Sequence, residues 1–553
     1  MVIIYLLVII LIVAAIIGWD YYKLKCLKRK MVLNFGNLKG DIRDERDLEI
    51  ISNYLTSKNL ESSIDRITWN DLAMDKIYSE MNITNTNIGD EYLFALLHQL
   101  EFSDTKLKER EKLIEFFDKN SNLRVDLQLL FCKIGRIYNY SVYDSLMTCK
   151  TIKIGSIIPH YLILTSIVLS ALTMFYNLYL GIFLIICSLT VSIINYGKTK
   201  KMIEMSNLWS LKYLAKMIKI VPKICKISCP DLEDYIKELT EIKKSFKGMG
   251  VKSLFLSSGV GLIADSFDLI FDYVRILTHV DIITLYYLSK NINKNFNKLE
   301  RLYEIIGLFE SMIAVASFRK SLPYYSKPNL LNDKVKVSVN ELYHPLIDNP
   351  ITNSIDTNVS VLITGSNASG KSTFLKAIAI NAILSQTIFL STTKRYEGNY
   401  FKIYTSMALT DNLFNNESYF IVEIKSIKRI LDKLNAQNPV LCCIDEVLRG
   451  TNTLERIAAS SEILTQLAKN NALCFAATHD IELGSILENC FINYNFSEDI
   501  IDGKIIFNYK INHGIARSRN AIKLLDLLGY SDDLVNNANE RLDYFVENGI
   551  WNS

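Results

Sequence analysis

The chain lacks a marked charge of either sign. Its 62 Lys and Arg stand against 59 Asp and Glu, for a formal net charge of +3 over 553 residues. Net charge therefore gives no sign of nucleic-acid binding. The ten cysteines lack paired metal-site spacing. Cys225-x3-Cys229 is isolated, and Cys442-Cys443 sits in an apolar run where Cys acts as a small hydrophobe. Free thiols of this kind fit a reducing cytoplasm. No short-period repeat and no low-complexity tract is present. Most informative, no Asp, Glu, Lys or Arg occurs between Lys153 and Lys198.

That uncharged stretch is too long for one membrane helix and suits two of about 19 residues, roughly 157–175 and 178–196. Tyr176-Asn177 would make the turn, with Tyr161, Tyr179 and Tyr196 as interface anchors. Met1 to Gly18 is also free of charge and is followed by Lys23, Lys25, Lys28, Arg29 and Lys30. A secretory signal carries its positive charge before the apolar core, so this order points to an uncleaved anchor. The hydrophobic content of 49% and the mean hydropathy of +0.15 agree with such spans. With three spans, the basic flanks put the N-terminus outside and both large soluble parts in the cytoplasm. The expected setting is a multi-pass protein of the cell membrane.

What is present beyond the apolar segments is chemistry for phosphate. Val361 to Phe374 reads VLITGSNASGKSTF. A buried-strand pattern leads into Gly365, then four residues, then Gly370-Lys371-Ser372 and a helical run. This is a phosphate-binding loop in its required context. The backbone of Gly365, Ser366, Asn367, Ala368, Ser369, Gly370 and Thr373 would wrap the phosphates of ATP. Lys371 would reach the β- and γ-phosphates, and the Ser372 hydroxyl would bind Mg²⁺. Downstream, the apolar run Val440–Ile444 ends in Asp445-Glu446. An acidic pair at the end of a buried parallel strand is suited to holding Mg²⁺ (Asp445) and to activating water (Glu446). A third strand, Leu473 to Ala477, ends in Thr478-His479-Asp480, where His479 could sense the γ-phosphate.

TGSNASGKST, DNLFNNESYFIVEI (411–424), IDEVLRGTNTLER (444–456) and AATHDIEL (476–483) resemble the four ordered motifs of the MutS ATPase domain. LYHPLIDNP (342–350) resembles its lead-in, and residues 510–542 resemble its C-terminal helical dimerisation element. Upstream, 68–99 and 107–117 resemble the start of the MutS core and lever helices. The resemblance implies a Mg-dependent ATPase, a homodimer, and a serine that reaches across the dimer to the partner's nucleotide; Ser418 matches that position. DNA is the partner that the family implies.

Departures accompany the resemblance. No separate mismatch-reading domain precedes the lever-like region, and no Phe-x-Glu element stands in a suitable position. Leu448 occupies a position where many MutS proteins carry Gly. The absence of an LSGGQ-like motif counts against an ABC-type transporter subunit. Lys198 to Lys252 holds 13 Lys against six acidic residues. That surface could face anionic lipid headgroups or a DNA backbone.

The expected fold is an α/β phosphate-loop ATPase domain with a mainly parallel sheet, an all-α core and lever region, and three transmembrane helices. The expected boundaries are an anchor at 1–19, helical regions at 20–150 and 201–330, a membrane hairpin at 151–200 and the ATPase at 331–553. Long amphipathic runs are expected at Ile270 to Leu288 and Leu299 to Ala316, and a helix break or close-packing point at Gly259-Val260-Gly261. The expected function is a membrane-anchored ATPase that opens and closes a dimeric clamp on DNA. The alternative is a mechanochemical or scaffold ATPase acting on a membrane or envelope partner.

Overall fold

The structure is a computed structural model. It describes residues 2–37, 45–58, 63–150, 156–204, 208–247 (except 228), 275–366, 368–407, 419–434, 437–516 (except 470, 502 and 503), 522, 525 and 529–551. The chain divides into two compact units. One comprises 1–60, 78–96 and 109–321, and the other 61–77, 97–108 and 322–553.

The first unit is helical. Its spine is the helix Phe296–Ser321, buried at nearly every position from Leu302 to Arg319. Gly307 is needed there because a Cβ would sit 2.5 Å from the Cβ of Tyr92. Buried carboxylates tie the spine to its neighbours. Glu310 accepts the Asn85 N–H at 2.7 Å and pairs with the Thr86 hydroxyl. Glu91 accepts the Val142 N–H at 2.6 Å and the Tyr303 hydroxyl at 2.6 Å. Of the run from Ile270 to Leu288, residues 270–274 lie outside the described residues. The rest is interrupted at His279, whose φ of +50° separates 275–278 from the helix Val280–Lys294. Gly259-Val260-Gly261 also lies outside the described residues.

The uncharged stretch folds as a helical hairpin, Ile158–Thr173 and Leu178–Glu204. Small residues let the two arms approach. The Ser170 and Ser188 hydroxyls are 3.2 Å apart, and a Cβ on Gly181 would come within 2.4 Å of Met174 Cγ. Three spans were expected. Among the described residues, only Leu178–Lys201 is long and apolar enough to cross a membrane by length and composition. The first arm has 16 residues, about 24 Å at 1.5 Å per residue, short of a hydrocarbon core of about 30 Å. The expected anchor at Met1–Gly18 falls in the helix Val2–Asn34, but the side chains of residues 1–14, 16 and 17 lie outside the described residues.

The second unit is α/β. Its main sheet has the order β10-β9-β4-β8-β7-β6: β4 Ser360–Gly365, β6 Lys402–Ser406, β7 Val440–Asp445, β8 Ala472–Thr478, β9 Phe491–Ile501 and β10 Lys504–His513. Every neighbouring pair is parallel except β9 with β10. β7 and β8 are buried along their whole length, as expected for parallel strands covered on both faces. Leu362, Cys442, Ile444, Cys474 and Ala476 share one core with Ile427 and Ile430 of the helix Tyr419–Leu431 and with Leu464 and Leu467 of the helix Thr453–Lys469. A smaller sheet, β1-β5-β2-β3, lies in the same unit: β1 Asn329–Leu331, β2 Val337–Leu342, β3 Asn353–Thr357 and β5 Arg395–Asn399.

This unit also takes in chain from far upstream. The Asp71 carboxylate accepts the Thr405 hydroxyl at 2.7 Å and the Met407 N–H at 3.0 Å. Thr68 Oγ1 accepts the Thr405 N–H at 3.2 Å. Residues 61–77 and 97–108, inside the expected 20–150 region, therefore belong to the α/β unit.

Candidate nucleotide site

The sheet register gathers the three chemical motifs at one end. Thr364 pairs with Thr478, and Asp445 with Ala477, so the ends of β4, β8 and β7 lie side by side. Ligand crevices form at such carboxyl ends. Past β4 the backbone turns through Gly365 (φ +149°), Ala368 (φ +61°) and Gly370 (φ +110°). A Cβ on Gly365 would lie 2.4 Å from the Phe496 carbonyl, so only glycine fits. The helix Lys371–Thr387 then begins with no side-chain cap, leaving its first N–H groups open toward the loop.

A cavity of about 370 Å³ lies against this turn. Ala368, Ser369, Gly370, Lys371, Ser372 and Thr373 line it from one side, and Asp445, Glu446 and His479 from the other. Lys371 is only 5% exposed, and its ammonium donates to the carbonyls of Gly365 (2.8 Å) and Ser366 (2.7 Å). Burial pushes its pKa down to about 8, although Asp445 and Glu446 pull it back part of the way. The Ser366 hydroxyl is committed elsewhere, donating to Glu498 at 2.8 Å. Asn367 and Ser418 lie outside the described residues.

Glu446 is the most constrained side chain in the site. It sits at φ +61°, its Oε1 is 2.8 Å from His479 Nε2, and its Oε2 is 2.6 Å from Arg449 Nε. Burial raises its pKa, but the His479 bond and the charges of Arg449 and Lys371 outweigh that and hold it below the ordinary value. Leu448 stands at φ +59°, in the left-handed region that glycine occupies freely. Arg456 and Asp480 form a two-point pair at 2.8 and 2.6 Å behind His479.

Four cavity residues carry no role from sequence: Lys376, Met407, Arg449 and Tyr509. Lys376 is one helical turn past Ser372, and Arg449 is three residues past Glu446, so spacing could have suggested both. Tyr509 arrives only because β10 is irregular between Phe507 and Ile511, and no local pattern announces that. Open helix N–H groups, a buried ammonium, a hydroxyl and a buried carboxylate form a donor set that fits a phosphate chain with Mg²⁺.

Comparison with known proteins agrees with this geometry. Residues 361–546 match the family described as MutS domain V. The chain is 25% identical over 274 residues to the DNA mismatch repair protein MSH3 of Candida albicans, covering 45% of this chain and 26% of that protein. It is 29% identical over 269 residues to the DNA mismatch repair protein MutS of Clostridium botulinum strain Langeland, covering 46% of this chain and 28% of that protein. The chain thus spans only about a quarter of the length of these curated relatives.

Proposed function

For this MutS-related chain we propose an ATPase that binds and hydrolyses ATP to open and close a dimeric clamp, anchored in a membrane, with DNA as the partner. One observation carries the enzymatic part: Lys371, Asp445, Glu446 and His479 line a single cavity at the ends of adjacent parallel strands. Lys371 and the open N–H groups of its helix bind the β- and γ-phosphates. Ser372 and Asp445 would hold Mg²⁺, which would supply charge neutralisation for the phosphoryl group. Glu446 accepts the proton of the attacking water as its oxygen bonds to the γ-phosphorus and the bond to the β-phosphate oxygen breaks. His479 orients Glu446 from the far side.

Each remaining part has its own support. Phe175, Tyr176 and Tyr179 at the hairpin tip are 92, 95 and 87% exposed, the disposition of aromatic anchors at a membrane interface. On the helix Leu208–Ile224, Lys212, Lys216 and Lys219 are half-buried and Lys223 is exposed, while residues 213–215, 217, 218, 220 and 221 are buried. Such a stripe suits a phosphodiester backbone and carries no mispair information. Leu534, Tyr544 and Trp551, in and just past the helix Asp532–Asn548, are exposed and suit a dimer contact. Ser418 would act across that dimer. A second reading, a mechanochemical ATPase with a membrane or envelope partner, is favoured by the exposed hairpin in the same unit as the helical spine.

Steady-state hydrolysis by the detergent-solubilised protein tests the enzymatic part. Glu446→Gln should keep ATP binding and lower turnover at least about a hundredfold, because an amide cannot take the proton. Lys371→Ala should weaken ATP binding by about a hundredfold or more. Parental turnover in Glu446→Gln would remove Glu446 as the base.

A further inference from the structure

Glu423 is a buried carboxylate that the proposed chemistry does not use. It lies on the helix Tyr419–Leu431 and is 3% exposed. It has no cation as its direct partner among the described contacts. Its Oε1 instead accepts the N–H of Leu448 at 2.6 Å and of Arg449 at 3.3 Å, and its Oε2 accepts the Arg449 N–H at 3.2 Å. The loop it grips is unusual. Glu446 and Leu448 are two non-glycine residues in the left-handed region within three positions. Such backbone persists only where its surroundings fix it. A second contact comes from the same helix: a Cβ on Gly450 would lie 3.2 Å from Phe420 Cβ. The loop is thus held from one side by one helix.

What the loop presents is the guanidinium of Arg449. Its Nε is 2.6 Å from Glu446 Oε2, and its Nη2 is 3.4 Å from the Asp445 carbonyl oxygen. The direction of that side chain depends on the backbone that Glu423 fixes. We propose that Glu423 is a positioning residue for hydrolysis: by fixing the Leu448–Arg449 backbone, it makes Arg449 hold the Glu446 carboxylate at the cavity. Glu423 does not line the cavity, and its described hydrogen bonds go to Leu448 and Arg449, not to the phosphate loop. Its loss acts on the hydrolytic step and spares nucleotide binding.

This rests on Glu446 being the base, so Glu446→Gln is measured beside the new variants in the full chain. In Glu423→Ala, kcat should fall about tenfold or more while the Kd for ATP stays within about threefold. Glu423→Gln keeps an acceptor oxygen for both N–H groups and should hold kcat within about threefold of the parent. Arg449→Met, at a half-exposed side chain, should lose as much as Glu423→Ala. The double variant Glu423→Ala/Arg449→Met should lie within about threefold of the lower single one, because both act through one linkage. Parental kcat in Glu423→Ala or in Arg449→Met would overturn the proposal. So would ATP binding lost in step with turnover, or single losses that multiply in the double variant. Should Glu423→Ala fail to fold, parental kcat in Arg449→Met still overturns the proposal. A parent without ATP turnover, or a Glu446→Gln protein with full turnover, refutes the ATPase reading. A dead Glu446→Gln beside an unaffected Glu423→Ala refutes the positioning role alone.

Discussion

Raising the pH from 7 to 9.5 should weaken ATP binding through Lys371. Its ammonium is buried beside the loop carbonyls, and its pKa is pushed down to about 8 from 10.5. About nine-tenths of the nucleotide-free protein then carries the charge at pH 7, and about 3% at pH 9.5. If only the charged form binds the phosphates, Kd rises about 30-fold across this interval, or about 2 kcal/mol. With Mg²⁺ in excess, ATP is already fully deprotonated at pH 7, so its phosphates contribute no proton there. Binding near pH 8.5 should therefore take up about three-quarters of a proton, which calorimetry in buffers of different ionisation enthalpy reads directly. The sign in the nucleotide-free protein is opposite. With a native pKa below the unfolded one, the unfolded chain binds more protons between about 8 and 10.5, so this group's contribution to stability rises with pH there. A Kd that stays flat from pH 7 to 9.5, with no proton uptake, would refute this account of Lys371.

Three further outcomes follow from other parts of the molecule. With the exposed native thiols Cys26 and Cys187 replaced by Ser, a Cys at Asn177 should react with an impermeant thiol reagent applied to whole cells, and one at Asn548 should not; equal labelling would overturn the topology expected from the basic flanks. DNA binding should weaken steeply with salt and differ less than about threefold between mismatched and paired duplexes. Changing Lys212, Lys216, Lys219 and Lys223 to Gln should cut the log–log salt slope by about 3–4, and an unchanged slope would acquit this stripe. Burial raises the Glu310 pKa to about 7 from 4.5, against the opposing bonds from Thr86 and Asn85. The native state therefore binds more protons between those values, and its stability relative to Glu310→Gln should fall by about 1–3 kcal/mol from pH 5 to 7.5; denaturant midpoints at both pH values would show a constant difference if this were wrong.

The parts legible in the sequence were those whose physics is local. The phosphate loop announces itself because glycines, a lysine and a hydroxyl must be consecutive to wrap a phosphate chain. Asp445-Glu446 and His479 could be read because each ends an apolar run that has to be a buried strand. Glu423 and Tyr509 were not legible. Glu423 acts on backbone N–H groups 25 residues away, and Tyr509 reaches the cavity through an irregular edge pairing. The hairpin's turn was visible at Tyr176-Asn177, but the shortness of its first arm was not, because composition does not say where a helix starts. The union of residues 61–77 with the main sheet was also hidden, since it rests on single side chains such as Thr68 and Asp71.

That union bears on how the chain is made. β6 is the edge of the main sheet, and the Thr405 N–H there is satisfied by Thr68 and not by another strand. Asp71 and Thr405 are 334 positions apart. At synthesis rates of about 5–20 residues per second, roughly 20–70 seconds separate their emergence from the ribosome. Through that interval the Arg66–Asp71 helix waits without the sheet edge it will cover. Residues 78–96 and 109–321 of the helical unit, hairpin included, are translated in between. Completion of the α/β unit is therefore timed by the arrival of the C-terminal half, and a fragment starting at residue 331 would expose a strand edge that the full chain keeps covered.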